Sequence, residues 1–227
     1  MDTRTNYERD TLTAYCSRER AANYKRYHTR DWSWARFCTW FEQRALAKEL
    51  ARYEWTENDK LLDIPCGTGI LGKLLRSFPF KIVASDISKD MIALAEAEYP
   101  HEKLIDCVQD DITCTKFPRI SFSCVVTLGF FHRVPLEIKR SALLEISRLS
   151  NGVAIITCSV DTRSQRIKKK VLSFFRREYI PAPCPITLSD LITECEAAGF
   201  RVVRSFMVVP FLSAEAMLVL EKKSIAC

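Results

Sequence analysis

The chain has 227 residues, 48% of them hydrophobic and 27% charged, with a formal net charge of +6. Those are the proportions of a folded domain with room for an extension, and they exclude a disordered or low-complexity chain. No apolar run approaches the roughly 20 residues that a membrane-spanning helix needs, and the charge is placed too unevenly for a uniformly basic nucleic-acid coat: +2 over residues 1–60, zero over 61–160 and +4 over 161–227.

The N-terminus, "MDTRTNYERD", is polar and lacks the pattern of a signal peptide, so a soluble, cytoplasmic protein is expected. Residues 1–58 read as an N-terminal helical cap or lid. In "DWSWARFCTWFEQRALAKEL", Trp34, Phe37, Cys38 and Phe41 recur at helical spacing and predict one apolar helix face. From residue 59 the texture changes to short apolar runs alternating with helical patterns. "LLDI" predicts a strand and 69–78 a helix; "KIVASD" a strand and "SKDMIALAEAE" a helix capped by Ser88. "KLIDCV" and "SFSCVVTL" are further strands, 136–148 a helix and "GVAIITCSV" a strand, while 109–120 is too short and too proline-interrupted for a crossover helix. A basic helix over 163–177 and a proline-rich loop follow, then a helix from about 188 with Thr187 and Asp190 as a capping pair. "RVVRSFMVV" and "AEAMLVLE", joined through Pro210, predict a closing antiparallel pair. The repeated strand–helix–strand pattern predicts an α/β, doubly wound, mostly parallel seven-stranded sheet with that antiparallel C-terminal pair and helices on both faces.

Ten cysteines contain no C-x-x-C, and several sit inside strand-like runs, where they read as small buried hydrophobes. None of the three histidines has metal-ligand spacing to a cysteine, so no metal is expected.

The chemistry-bearing stretch is "LLDIPCGTGILGKLL", residues 61–75. Gly67, Gly69 and Gly72 have the G-x-G-x-x-G spacing of a phosphate-approaching loop between a strand and a helix. In a doubly wound sheet that loop lies at the ligand-binding edge. Both a dinucleotide and S-adenosylmethionine (SAM) suit such a place. Asp63 ends the strand four residues before Gly67, where it repels a diphosphate and tolerates the ammonium and sulfonium of SAM, whose own carboxylate can take the loop amides. Asp86, 19 residues after Gly67, suits a ribose diol in either case.

"LLDIPCGTG", "VASDIS..M", "VQDDI" and "LGFFHRVP" resemble, in order, the successive motifs of class I SAM-dependent methyltransferases, within the broad small-molecule subgroup that includes the ubiquinone/menaquinone-type enzymes. The resemblance covers about residues 60–160 and continues more weakly to the end. It implies that 59–227 is a SAM-binding Rossmann-like domain and that Asp63, Gly67 and Gly69 line the methionine part of SAM. Asp86 would hold the ribose hydroxyls, Met91 or Ile87 would pack on adenine, and Asp111, with Ile112 beside it, would meet the adenine amino group. Leu128 and Gly129 would run past the sulfonium. Related enzymes place an N-terminal tyrosine over the pocket, the role open to Tyr24 or Tyr27. "FFHRVP" departs from the family's usual pair of histidines, leaving His132 as a general base or an acceptor-positioning group.

The segment Arg163–Arg177 carries seven basic residues and no acid, with Ile167, Val171, Phe174 and Phe175 on one face. It lies in the region 161–198, where class I enzymes insert substrate-binding elements, and it implies an anionic or lipid-linked small-molecule acceptor, or peripheral contact with a membrane. No N-P-P-Y-like sequence follows the fourth strand, which counts against adenine or glutamine amide methylation. Two other readings stand beside this one: an NAD(P)-dependent reductase, and a non-catalytic SAM-fold adaptor that binds an anionic surface through 163–177.

Overall fold

A computed structural model of the protein describes residues 18–29, 34–161, 184–210 and 212–223. The basic segment Arg163–Arg177 therefore lies outside the described residues, as do the side chains of Tyr24 and Tyr27, whose backbone belongs to the first helix.

Two helices come first, α1 (Arg18–Thr29) and α2 (Trp34–Leu50). They precede β1 (Lys60–Asp63), the short α3 (Gly72–Leu75), β2 (Lys81–Asp86) and α4 (Lys89–Ala95), with a 3-10 turn at Glu96–Glu98. Then follow β3 (Leu104–Gln109), β4 (Phe122–Thr127), a 3-10 turn at Phe131–Arg133, α5 (Leu136–Leu149), β5 (Ser150–Ser159), α6 (Leu188–Ala197), β6 (Phe200–Met207) and β7 (Glu215–Lys222). The strands form one seven-stranded sheet in the order β3-β2-β1-β4-β5-β7-β6. β1 to β5 are parallel, and β7 runs antiparallel between β5 and β6. The order reverses beside β1, between β2 and β4, which makes the carboxyl end of β1 the switch point where a ligand crevice opens.

β1 is covered on both faces, which is why its successive residues Leu61 and Leu62, pointing to opposite faces, are both apolar and fully buried. One face packs on α5 and α6 through Leu62, Val125, Ile138, Leu143, Ile146 and Leu191. The other packs on α2, α3 and the α4 region through Leu46, Leu50, Leu61, Leu75, Ala95 and Tyr99. The C-terminal half of α2 is thus part of the core of the sheet domain.

Ser88 and Thr187 cap their helices as predicted, accepting from the amides of Met91 (3.3 Å) and Asp190 (3.1 Å). Two expectations are corrected. The helix predicted over 69–78 is formed only over Gly72–Leu75, because Gly67 and Gly69 take left-handed backbone angles (φ 54° and 76°) that no α-helix contains. A Cβ on Gly72 would lie 2.2 Å from the carbonyl oxygen of Glu98, and one on Gly69 2.8 Å from that of Ala95, so these glycines let the loop press against α4 and the turn after it. The apolar face predicted for α2 is its buried face only in part: Trp34 and Phe37 are 54% and 40% exposed, whereas Cys38 and Phe41 are half-buried and Phe41 packs on the core. The inward stripe is Thr39, Glu42, Leu46, Glu49 and Leu50, and its acids are drawn inward by partners on the sheet. Glu49 pairs with Arg204 at 2.6 Å and Glu42 accepts from the hydroxyl of Thr157 at 2.9 Å.

Candidate active site at the carboxyl edge of the sheet

Asp63, Asp86 and the loop between them occupy adjacent strand ends. Asp63 is in register with Ala84 on β2, two residues before Asp86, and both carboxyl groups are buried. Asp86 Oδ2 accepts from the amide of Gly67 and Oδ1 from that of Ser88, each at 2.9 Å. Asp63 Oδ2 accepts from the hydroxyl of Tyr99 at 2.5 Å. Burial pushes the carboxyl of Asp63 up to about 7, against the lowering effect of the Tyr99 hydrogen bond, and the nearby charge of Asp86 adds to the rise. Burial likewise pushes Asp86 up to about 6, with the amides of Ser88, Gly67 and Ile87 opposing it. Among the described residues, no lysine, arginine or histidine contributes to either environment. Two desolvated carboxyls without a counter-ion form a site for a cationic or hydroxyl-donating ligand and are hostile to a diphosphate.

The loop amides differ from their expected use. The N–H of Gly67 goes to Asp86 and that of Gly69 to the carbonyl of Cys66 at 3.0 Å. The loop is thus shaped by internal hydrogen bonds, and ligand-facing capacity shifts to side chains. The Thr68 hydroxyl is fully buried and has no hydrogen-bond partner.

Met91 is buried but belongs to neither of the two core clusters, so it packs locally behind the loop after β2. Ile87, at the mouth of that loop, is half-buried and its carbonyl accepts from the amide side chain of Gln109 at 2.8 Å. Of the two adjacent acids after β3, Asp110 engages both oxygens locally, with the amides of Asp111 and Lys116. Asp111 uses only Oδ1, accepting from Thr113 N–H at 2.8 Å. Ile112 is buried in the core on the α5 side of the sheet. Leu128 packs on the opposite core, and Gly129 (φ 69°) has nothing within 4 Å of where a Cβ would stand, so it borders open space.

His132 is mostly buried in the turn after β4, and its Nδ1 has no hydrogen-bond partner. Burial, reinforced by the cations of Arg133 and Lys139, lowers it to about 4. At neutral pH it is an uncharged imidazole with little basicity.

The residues missed in the sequence lie beside Gly129. Its amide donates to the Thr157 hydroxyl at 3.0 Å, and that hydroxyl donates to Glu42 Oε1 at 2.9 Å. Glu215, at the start of β7, is the charged group that most affects Glu42 after burial itself. Burial raises both, and the charge of Glu215 raises Glu42 further. Elsewhere, a cavity of about 440 Å³ between α5 and α6, lined by Leu136, Lys139, Ile186 and Thr193, contains none of the predicted site residues. Among the described residues no His, Cys, Asp and Glu side chains gather as a metal-binding group, and no helix is long and apolar enough to cross a membrane.

A seven-stranded sheet with one antiparallel strand and helices on both faces is a Rossmann-like fold that solved methyltransferases share. Residues 61–151 match the family described as a methyltransferase domain. An uncharacterized methyltransferase of Alkaliphilus oremlandii (strain OhILAs) is 30% identical over 113 residues, 49% of this chain and 50% of that protein. The chain thus spans about half the length of the curated relative it matches. Magnesium protoporphyrin IX methyltransferase from Synechocystis PCC 6803, solved with bound SAM, superposes with a TM-score of 0.70 at 14% identity over 98% of both chains. PH0226 protein from Pyrococcus horikoshii OT3 gives a TM-score of 0.67 at 18% identity, covering 87% of this chain and 96% of that one.

Proposed function

We propose that this protein transfers a methyl group from SAM to a small-molecule acceptor by in-line displacement. The observation that carries the reading is the pair of buried, uncompensated carboxyls, Asp63 and Asp86, at the switch point of a methyltransferase-family sheet. SAM, when bound, supplies a methyl group already activated on a cationic sulfur. Asp63 faces its ammonium group, and Asp86 accepts from the ribose hydroxyls while holding Gly67. Met91 and Ile87 form the shelf for adenine, and Asp111, with its second oxygen available, accepts from the adenine amino group. Leu128 and Gly129 flank the reacting carbon, where the open side of Gly129 leaves room for the acceptor. The protein's contribution is then alignment at about 3–3.5 Å, catalysis by proximity and orientation.

His132 acts as a positioning group in this reading, since an imidazole lowered to about 4 is a poor base at neutral pH. Tyr24 from the N-terminal cap is assigned to cover the SAM pocket and the basic segment 163–177 to the acceptor side, the latter favouring an anionic or lipid-linked acceptor of the ubiquinone/menaquinone-type subgroup. The reductase reading gains no support, since a diphosphate would meet Asp63, and the adaptor reading rests on 163–177, which lies outside the described residues.

Isothermal titration with S-adenosylhomocysteine, NADH and NADPH tests the reading. Binding of the homocysteine nucleoside, lost in Asp86→Ala, supports it. Binding of NADPH in its place overturns it.

A further inference from the structure

α2 turns both of its acids inward, Glu42 to Thr157 and Glu49 to Arg204, beside the buried Leu46 and Leu50. Its outer face is left with aromatic rings and cations. Trp34, Phe37 and Trp40 are 54%, 40% and 50% exposed, and Arg36, Arg44 and Lys48 are exposed among them. At 3.6 residues per turn, these six positions fall within one arc of about 160°. No acid of the helix lies in that arc. The rings pack on one another: Trp34 is stacked on Phe37 with centroids 5.3 Å apart, and Phe41 meets Phe37 at 4.7 Å and Trp40 at 4.8 Å. The Arg44 guanidinium lies over the Trp40 ring, 4.8 Å from its centroid. Phe41 in turn packs on the core, so the patch is fixed to the fold.

The helix also places this patch. Glu42 meets the Thr157 hydroxyl, which accepts from the Gly129 amide at the ligand edge of the sheet. Tyr53, just past the end of α2, meets Glu221, which is in register with Val153 near the amino end of β5. α2 therefore runs from the ligand edge toward the opposite edge. Trp34, Phe37 and Trp40, which precede Glu42, stand at the ligand edge.

We propose that the outer face of α2 is a membrane-contact surface that lies flat on an anionic lipid bilayer, with the ligand edge of the sheet at the interface. An indole has an apolar body and a polar N–H, which suits it to the headgroup level, and Arg and Lys reach lipid phosphates from long apolar stems. A cationic, acid-free face complements an anionic surface. A second copy of the chain suits it poorly, because a two-fold contact would set these cations against one another with no acid of the helix to pair them. Nucleic acid suits it less than lipid. With Trp34 stacked on Phe37 and Arg44 over Trp40, the rings form one packed patch on a convex helix, without separate platforms for successive bases along a groove. The membrane contact does not depend on methyl transfer; only its use, bringing the ligand edge to a lipid-linked acceptor, rests on the proposed function.

The full chain is sedimented with vesicles of phosphatidylcholine, with and without phosphatidylglycerol, in the absence of SAM. Binding to the anionic vesicles alone, weakened by salt and accompanied by quenching of tryptophan emission by brominated lipid, is the expected result. Replacing Trp34 and Trp40 together by Ala should lower the partition coefficient roughly tenfold or more. Arg44→Gln and Lys48→Gln should each lower it roughly fivefold. All these positions are exposed, so the urea-unfolding midpoint should hold. Vesicle binding that survives these substitutions, or is lost instead in Lys168/Lys169/Lys170→Ala alone, overturns the proposal. So does absence of vesicle binding, whether the chain then dimerises through this face in sedimentation or binds single-stranded RNA in its place. If the protein binds anionic vesicles through α2 but takes up no S-adenosylhomocysteine, the proposed function fails and the membrane-contact surface stands.

Discussion

The two halves of the sheet's carboxyl edge bury acids in opposite ways. Over β1 and β2, Asp63 and Asp86 are held by a tyrosine hydroxyl and by backbone amides, all donors suited to a carboxylate. Over β5 and β7, Glu42 accepts from the Thr157 hydroxyl, and burial together with the charge of Glu215 raises its carboxyl well above the usual range. The first half gives its carboxyls several donors; the second sets one acid against another, which favours a proton on Glu42. Burial raises the carboxyls in both, so the hydrogen-bond partners, and not depth, decide which acid meets a ligand as an anion.

The largest expected effect is on Asp86. Asp86→Ala removes a charged acceptor from the ribose and frees the Gly67 amide, and loss of a charge-assisted hydrogen bond, about 1.5–3 kcal/mol, lowers S-adenosylhomocysteine affinity roughly 10- to 100-fold by calorimetry. Next, Tyr99→Phe strips Asp63 of its donor. It should destabilise the protein by about 1–3 kcal/mol in urea unfolding, more at pH 8 than at pH 5, because the carboxylate is the form that loses most.

The pH response separates the halves further. Asp63 (about 7) and Asp86 (about 6) are raised above the usual aspartate value near 3.9, so they favour folding most when protonated. Their contribution is fully present below about pH 4 and is lost as pH rises through 6 to 7, so the ligand-free protein should melt lower at pH 8 than at pH 5. SAM binding at pH 6 should release protons and at pH 8 should not, measured by calorimetry in buffers of different ionisation enthalpy; Asp63→Asn should shrink the release. Proton uptake at pH 6 would break the comparison. The smallest effect belongs to the other half. Glu42→Gln replaces a carboxyl that burial and the charge of Glu215 keep protonated, and should shift unfolding free energy by less than about 1 kcal/mol, against about 2 kcal/mol for Glu42→Ala, which leaves the Thr157 hydroxyl without its acceptor. A larger loss from the glutamine variant than from Tyr99→Phe would mean that Glu42 is ionised.

Much of the fold could be read along the chain because its signals are local. Ser88 caps the helix that begins one residue later, and Asp86 lies at the end of the apolar run that forms β2. Strand type, order of elements and the antiparallel closing pair follow from period, length and turn residues. The extent of α3 and the orientation of α2 could not be read in the same way. The glycines after β1 fit a helix pattern by spacing, but their left-handed angles and the backbone of Ala95–Glu98 pressed against them decide where the helix starts. Aromatic periodicity gave only part of the inward face of α2, with Phe41 packing on the core, because Glu42 and Glu49 are drawn inward by partners 115 and 155 residues away.

The amino-acid sequence by itself determined the alternation of strands and helices, the acids at the ends of β1 and β2, and the glycine loop between them. These depend on neighbours a few residues apart. Only the tertiary structure decided that Tyr99 meets Asp63, that Thr157 meets Glu42, and that Arg204 meets Glu49. Each of those contacts depends on strand register and helix docking, and in a chain of alternating apolar runs many registers preserve the same local pattern. Packing selects one of them, and the buried polar partners are settled with it.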